Sequence, residues 1–274
     1  MQNFFAESGD KALIESPVLA FDPKFRDLLN ANSFNELEDF MFAPQENSFR
    51  DVPGRLTVGL DLDAEGTKQR VYLKRHWNLS KKKSDGPFKE AFAEWSNLTL
   101  LAHCGIKVPE AVAYGYGLIN GRSVAFVMMK EVPGMQADHF IERKLNRELG
   151  FEARVKLAER LGELAKKFHG LGYNHRDFYL CHTFVNPVGD DFELNLIDLQ
   201  RVQHRKVFRK RWIVKDLAQM SYSSLRICSR TDRMRFYLKY CGSDSLSAAD
   251  KKLIASINKK VAAMVKREKE GKIR

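Results

Sequence analysis

Residues 152–204 constrain this chain more than any other stretch. Leu157, Leu161, Leu164 and Phe168 recur at three- and four-residue spacing, the apolar stripe of a helix with one buried face. Gly170 and Gly172 end that helix. A loop dense in titratable side chains follows, with His175-Arg176-Asp177 at its head and Cys181-His182 behind it. After a turn at Val188-Gly189-Asp190, a hydrophobic strand over 192–199 carries Leu194, Leu196 and Ile197 into Asp198. Two carboxylates, Asp177 and Asp198, therefore stand at the exits of a helix and of a strand, 21 residues apart.

The rest of the chain sorts around that block. Residues 1–47 carry weak signals, apart from Ser33-Phe34-Asn35-Glu36, which fits a helix capping box ahead of 37–42. From 50 to 77 the pattern is strand-like: Leu56, Val58, Leu60 and Leu62 alternate, Ala64-Glu65-Gly66 turns, and 71–74 extends again to Lys74. Residues 80–86 form a polar loop. Phe88, Phe92, Trp95, Leu98 and Leu101 take helical spacing, with Glu94 among them. Strands over 111–118 and 122–132 flank Asn120-Gly121, a pair suited to a tight hairpin turn. The spacing predicts an N-terminal extension over 1–47, a strand-rich lobe over 48–132, a helical lobe over 133–246 with a cleft between the two lobes, and a basic helix over 247–274.

Composition narrows the class. With 274 residues, 44% of them hydrophobic, the chain is long enough for one large domain or two small lobes and too apolar for a disordered tail. No apolar run is long enough to cross a bilayer, and the first ten residues lack the pattern of a secretory signal. Cys104, Cys181, Cys228 and Cys241 are scattered without a CxxC pair and read as reduced thiols. Charge is lopsided. Residues 1–200 hold 25 basic and 29 acidic side chains, whereas 201–274 hold 21 and 6. Such a field points to an anionic partner near the last third. No zinc finger, RNP aromatic set or helix-turn-helix signal accompanies it, so nucleic acid is not the expected partner.

Lys74 at a strand end, Glu94 on a helix, Asp177 in a loop and Asp198 at a strand end resemble, in this order, the protein-kinase-like fold. The chemistry suits those types. ATP brings about four negative charges, and a compact lysine charge suits its phosphate oxygens. A glutamate orients the lysine, an aspartate gives Mg²⁺ a hard oxygen, and a second aspartate takes the proton of an attacking hydroxyl. The departures are equally informative. Leu199-Gln200 replaces Phe-Gly, no APE follows, and residues 51–59 lack a GxGxxG loop. His182 stands where protein kinases carry a metal-binding asparagine. An extended peptide substrate is therefore not expected.

A longer match narrows the family. The segments NHRDFYLCHTFV, LNLIDLQRVQ and RWIVKDLAQMSYSS resemble the lipopolysaccharide-core kinases, the RfaP/WaaP type of heptose kinase and the related Kdo kinases. The resemblance covers roughly 50–241, with Phe178 and Gln200 departing from the family pattern. It implies an α+β, bilobal protein-kinase-like fold and ATP-dependent phosphorylation of a sugar hydroxyl, first of all on an inner-core heptose, with ATP and Mg²⁺ as cofactors. It also implies work as a peripheral protein on the cytoplasmic face of the inner membrane, with the lipid-linked core as acceptor and an anionic membrane surface beside it. Carried over by position, Asp177 is the base, Asp198 and His182 are metal ligands, and Lys74, Glu94, Met129 and Glu131 bind ATP. His175, Arg176 and Asp216 support the loop, and Arg201, Arg205, Arg209 and Arg211 take an anionic acceptor. Three readings stay open beside it: a Kdo kinase, an aminoglycoside-phosphotransferase-like or RIO-like kinase, and a non-catalytic pseudokinase scaffold. The tail stripe Leu253, Ile257, Val261, Met264 and Val265, flanked by nine Lys/Arg over 251–274, suits either an anionic membrane or docking on the protein.

Overall fold

Alternating strands and two-residue turns build the first of two compact units. A computed structural model describes residues 13–45, 48–79, 85–145, 148–207 and 209–271. The chain divides into Met1–Ala102 with Pro109–Glu131, and His103–Val108 with Val132–Arg274.

The first unit is an antiparallel six-stranded sheet: β1 (Ile14–Phe21), β2 (Ser48–Val52), β3 (Arg55–Ala64), β4 (Thr67–Trp77), β5 (Ala111–Ile119) and β6 (Arg122–Lys130), in the order β1-β5-β6-β4-β3-β2. Two of its three tight hairpins turn on paired left-handed residues, Glu65-Gly66 (φ 47° and 88°) and Asn120-Gly121 (φ 49° and 70°). That geometry matches the twist of the flanking strands. One sheet face packs Leu56, Val58, Val71, Leu73, Phe126 and Met128 against α1 (Arg26–Ala31) and α2 (Leu37–Phe42). Phe40 of α2 stacks on Phe126 at 4.1 Å. Residues 14–43, read from sequence as part of an extension, thus supply a strand and half of this core layer. Arg75, fully buried on the same face, donates to the carbonyl of Ala43 at 2.8 Å. β1 hid from pattern reading because it is an edge strand broken near Pro17, with a register shift between Glu15 and Val18. The capping box also differs from the expected one. Ser33 is left-handed (φ 60°), and Asp39 reaches back to the amides of Asn35 (2.8 Å) and Glu36 (2.7 Å).

The opposite sheet face carries α3 (Gly86–His103), which buries Ala91, Glu94, Leu98 and Leu101. Phe92, expected on the buried stripe, is exposed and stacks on Phe88. Residues 80–84 of the expected polar loop lie outside the described residues.

The second unit is mostly helical. In chain order it holds β7 (Met135–Gln136), α4 (Ala137–Phe140), α5 (Phe151–Gly170), β8 (Tyr173–Asn174), β9 (Thr183–Val188), β10 (Asp191–Leu196), β11 (Gln203–His204), α6 (Arg209–Ser224), α7 (Arg230–Cys241) and α8 (Ala248–Lys269). β10, β9 and β7 form one small sheet, and β11 pairs β8. Two glycines are obligatory here. A Cβ on Gly134 (φ 94°) would lie 2.1 Å from the carbonyl oxygen of Val185, and one on Gly162 would lie 2.7 Å from that of Phe236, where α5 meets α7. β10 ends at Leu196, short of the expected 199, because Asp198 turns left-handed (φ 58°) into the 3-10 turn Leu199–Arg201. The four cysteines are free thiols.

α8 resolves one of the open alternatives. Its Ile257, Val261 and Met264 are buried, and the helix packs on α6. The stripe docks on protein and leaves the lysines outward. Ile257→Ala removes side-chain atoms from a fully buried site and is expected to cost about 2–4 kcal/mol in urea unfolding, whereas exposed Lys259→Ala is expected to stay within about 0.5 kcal/mol. Equal effects would place the stripe on a free surface.

Candidate active site

In the first unit, β4 and α3 meet like two rulers with matching marks. Alternate β4 residues face α3, about 6.6 Å apart along the strand, and helix residues four apart rise about 6 Å. Lys74 therefore meets Glu94 while His76 meets Glu90, the chains running in opposite senses. Lys74 Nζ lies 2.6 Å from Glu94 Oε1, with Glu94 fully buried and Lys74 17% exposed. His76 Nδ1 lies 3.0 Å from Glu90 Oε2, and Arg55 pairs with the same carboxylate. The His76 hydrogen bond, with Arg55 next, holds Glu90 down at about 2. Sequence reading missed Glu90; its place four residues before Glu94 was the available signal. Met129 and Glu131 lie at the end of β6. The Met129 side chain is buried in the sheet, and Glu131 Oε1 accepts from the Tyr72 hydroxyl at 2.8 Å. Burial, then this bond, pushes the Tyr72 phenol up to about 12.

In the second unit, a polar face of α6 holds the loop that carries Asp177. Asp216, fully buried, accepts from the amides of His175 (2.7 Å) and Arg176 (2.9 Å) and faces His169 Nε2 at 3.3 Å. One helical step on, Gln219 accepts from the Phe178 amide (3.1 Å) and donates to the Arg176 carbonyl (2.9 Å). A further step on, Ser223 Oγ accepts from the Leu180 amide at 3.0 Å. Lys215 also donates to the Arg176 carbonyl. Residues 216, 219 and 223 share one helix face, so a single element satisfies four loop amides. Arg176, left-handed at φ 71°, is the residue whose backbone needs that support. Asp216 was singled out in the sequence, whereas Gln219 and Ser223 were not.

Two histidines join the loop to the Asp198 segment. His175 Nε2 donates to the carbonyl of Ile197 at 3.0 Å. His182 Nδ1 donates to the carbonyl of Asp177 at 2.7 Å, and the two rings stack at 5.9 Å. Because a carbonyl only accepts, His182 Nδ1 carries a proton, and Nε2 faces Asp198 Oδ2 at 3.8 Å. Asp198 would give a cation a hard oxygen, and a neutral His182 would add a nitrogen donor. Among the described residues no cluster of three His, Cys, Asp or Glu exists. One carboxylate with a neighbouring donor fits Mg²⁺, which keeps waters and takes phosphate oxygens as its other ligands.

The expected acceptor cations separate. Arg201 Nη1 contacts both oxygens of Asp177, at 2.7 and 3.0 Å. Arg205 and Arg211 lie 4.1 and 5.7 Å from the Trp212 ring, beside Arg176 at 5.3 Å and Lys215 at 5.9 Å. Arg209 is a correction. Its guanidinium donates to the carbonyl of His169 in the last turn of α5, where a cation complements the helix dipole, so it serves the fold.

A strand lysine locked to a buried helix glutamate, with a separate braced loop carrying one aspartate and a strand exit carrying another, belongs to a phosphotransferase of protein-kinase-like fold. Comparison with known proteins agrees. A solved structure, "WaaP in complex with acyl carrier protein", aligns with a TM-score of 0.68 at 27% identity, over 90% of this chain and 98% of that one. The lipopolysaccharide core heptose(I) kinase WaaP of Pseudomonas aeruginosa is 31% identical over 233 residues, 81% of this chain and 85% of the relative. The heptose(I) kinase WaaP of Escherichia coli K12 is 25% identical over 71% of this chain and 77% of its own length. Residues 43–240 match the lipopolysaccharide kinase (Kdo/WaaP) family. The chain belongs to that family and is a kinase.

The site has a pH signature. Burial, with the nearby His182 charge next, holds the His175 imidazole down at about 4, below its ordinary 6.5. A buried neutral base must be protonated on unfolding in acid. Its contribution is complete above about pH 6.5 and is lost as pH falls to about 4, on the order of 3 kcal/mol. His175→Asn keeps a donor for the Ile197 carbonyl and removes the titration. Its unfolding midpoint is expected to fall less than the parent's across that window; parallel decline would remove His175 as the cause.

Proposed function

We propose that the protein transfers the γ-phosphoryl group of ATP to a heptose hydroxyl of the lipopolysaccharide inner core. The alignment with heptose(I) kinases along most of the chain carries this reading. Lys74, oriented by Glu94, binds the α- and β-phosphates. Asp198, with His182 beside it, holds Mg²⁺, which neutralises phosphate charge when bound. Asp177 orients the sugar hydroxyl and accepts its proton as the new oxygen–phosphorus bond forms. Asp216, Gln219 and Ser223 keep the Asp177 loop in place, with His175 and Arg176 as the loop's own supports. Arg201, Arg205 and Arg211 meet an acceptor rich in carboxylates and phosphates.

The work falls at the cytoplasmic face of the inner membrane, where the lipid-linked core is the acceptor. Among the described residues no helix is long and apolar enough to cross a membrane. Peripheral attachment uses the outward lysines of α8, since its apolar stripe is spent on packing.

Asp177→Asn is expected to leave folding and ATP binding near the parent's while phosphate transfer to purified core oligosaccharide collapses. Lys74→Ala is expected to act mainly by weakening ATP use. Transfer by Asp177→Asn at the parent rate would remove the base. Mass spectrometry of core from cells lacking the protein tests the acceptor: a phosphate missing from heptose supports the reading, and one missing from Kdo overturns it.

A second reading concerns a partner. The second unit holds a small apolar cleft of about 50 Å³ among α5, α6 and α7, lined by Leu145, Leu157, Leu161, Leu180, Met220 and Phe236. The solved relative is in complex with acyl carrier protein, and the apolar lining of this cleft matches the chemistry of an acyl chain's end. We propose the same class of partner here. Long-chain acyl carrier protein is expected to raise the melting temperature, and Ala158→Phe, which fills the cleft, to abolish the rise. An equal rise with the carrier lacking its acyl chain would count against the cleft.

A further inference from the structure

Arg201 occupies the space that the proposed base needs. A single guanidinium nitrogen bridges both oxygens of Asp177, so a hydroxyl arriving on that side meets a cation in place of a free lone pair. The arginine is delivered there by the chain itself. Asp198 turns left-handed, and the 3-10 turn after it ends on Arg201. The arginine side chain is 46% exposed and the aspartate 20%. An ion pair this open to water contributes little and exchanges readily for a competing anion.

The surroundings favour such an exchange. Arg176, Arg205, Arg211 and Lys215 gather round the Trp212 indole. Of these four and Arg201, only Arg201 forms a salt bridge with a carboxylate among the described residues. The crowding is felt. Burial, then Arg201 and Arg205, pushes the Arg176 guanidinium below its ordinary value. Lys215 is lowered by burial and by the charges of Arg201 and Arg176, against the opposing pull of Asp177. An added anion relieves this repulsion, whereas a neutral sugar does not.

We infer that Arg201 is a gate on Asp177, opened by an anionic group that the acceptor carries near the hydroxyl to be phosphorylated. The inference rests on the kinase reading above and adds to it the acceptor's charge and a control of the base. With no acceptor, Arg201 masks the carboxylate, and water is not oriented for attack on ATP. A sugar bearing a carboxylate or phosphate draws the guanidinium off Asp177 toward the Trp212 cations. The freed carboxylate then accepts the sugar hydroxyl's proton, the sugar oxygen bonds to the γ-phosphorus, and the bond from that phosphorus to the bridging oxygen of ADP breaks.

The test uses the full chain with magnesium-ATP and two readouts: ATP hydrolysis without a sugar, and transfer to purified core oligosaccharide. Arg201→Gln is expected to raise sugar-free hydrolysis severalfold. It is also expected to raise the KM for the oligosaccharide about tenfold, the loss of one charged hydrogen bond, while the KM for ATP holds. Arg201→Lys keeps the charge and is expected to keep hydrolysis low. A variant with unchanged hydrolysis and unchanged oligosaccharide KM overturns the gate, as does one in which both activities fall together through kcat. In either case parent transfer still stands and the kinase reading survives. A parent that transfers phosphate to no core sugar removes that reading and the gate with it.

Discussion

A buried carboxylate sets the terms for the second unit. Asp216 has no access to water, and its oxygens are met by two consecutive loop amides and a histidine ring turned toward it. The dependence runs both ways. The amides of His175 and Arg176 would otherwise be unpaired inside the protein, and Arg176 would have nothing to hold it in a left-handed conformation. Gln219 and Ser223 extend the same logic by one and two helical steps. The loop has no repeating secondary structure of its own, yet its amides are paired by a rigid helix. Asp177 is thereby held on a surface as stiff as α6, which is what a group that positions a reacting hydroxyl requires.

The first unit solves a related problem with different means. Glu94 is as buried as Asp216, but its partner is a lysine at 2.6 Å that keeps some exposure. The lysine comes from β4, paired on both sides by β3 and β6, and cannot shift along the sheet without breaking both ladders. The glutamate comes from α3, and the near match of two strand steps to four helix residues lets His76 and Glu90 repeat the contact one position along. The pair is thus fixed in register twice. Breaking one contact leaves the other to hold the helix against the sheet.

Several of these features were legible in the sequence, and the reasons are physical. The Asn120-Gly121 hairpin and α5 follow from local chemistry, a turn that requires two left-handed residues and a stripe at helical spacing. Lys74, Glu94, Asp177 and Asp198 stood out as charged residues in the order of a known fold, and Asp216 through the resemblance of its segment to a known family. β1 was not legible, since an edge strand needs no alternation and Pro17 disrupts what there is. Arg209 was misread because its charge shows in the sequence while the helix end it caps does not. Gln219 and Ser223 were missed because a neutral polar stripe looks the same facing solvent or facing a loop. The α8 stripe was read correctly as apolar, but a stripe does not say whether protein or lipid covers it.

The same distinction explains the lopsided charge. Residues 201–274 hold 21 basic side chains against 6 acidic, yet the excess is not one surface. Arg209 is spent on a helix end, and Arg235 pairs with Asp232. The lysines of α8 face outward from a docked helix. What remains concentrated is the set round Trp212, where an indole replaces the carboxylates that usually separate cations. An aromatic face attracts each cation weakly and neutralises none of them. A cluster built this way keeps its cations together while leaving their charge available, and the charge is satisfied only when an anion arrives. Acidic residues in the same places would have settled the repulsion within the fold and left nothing for a ligand to supply.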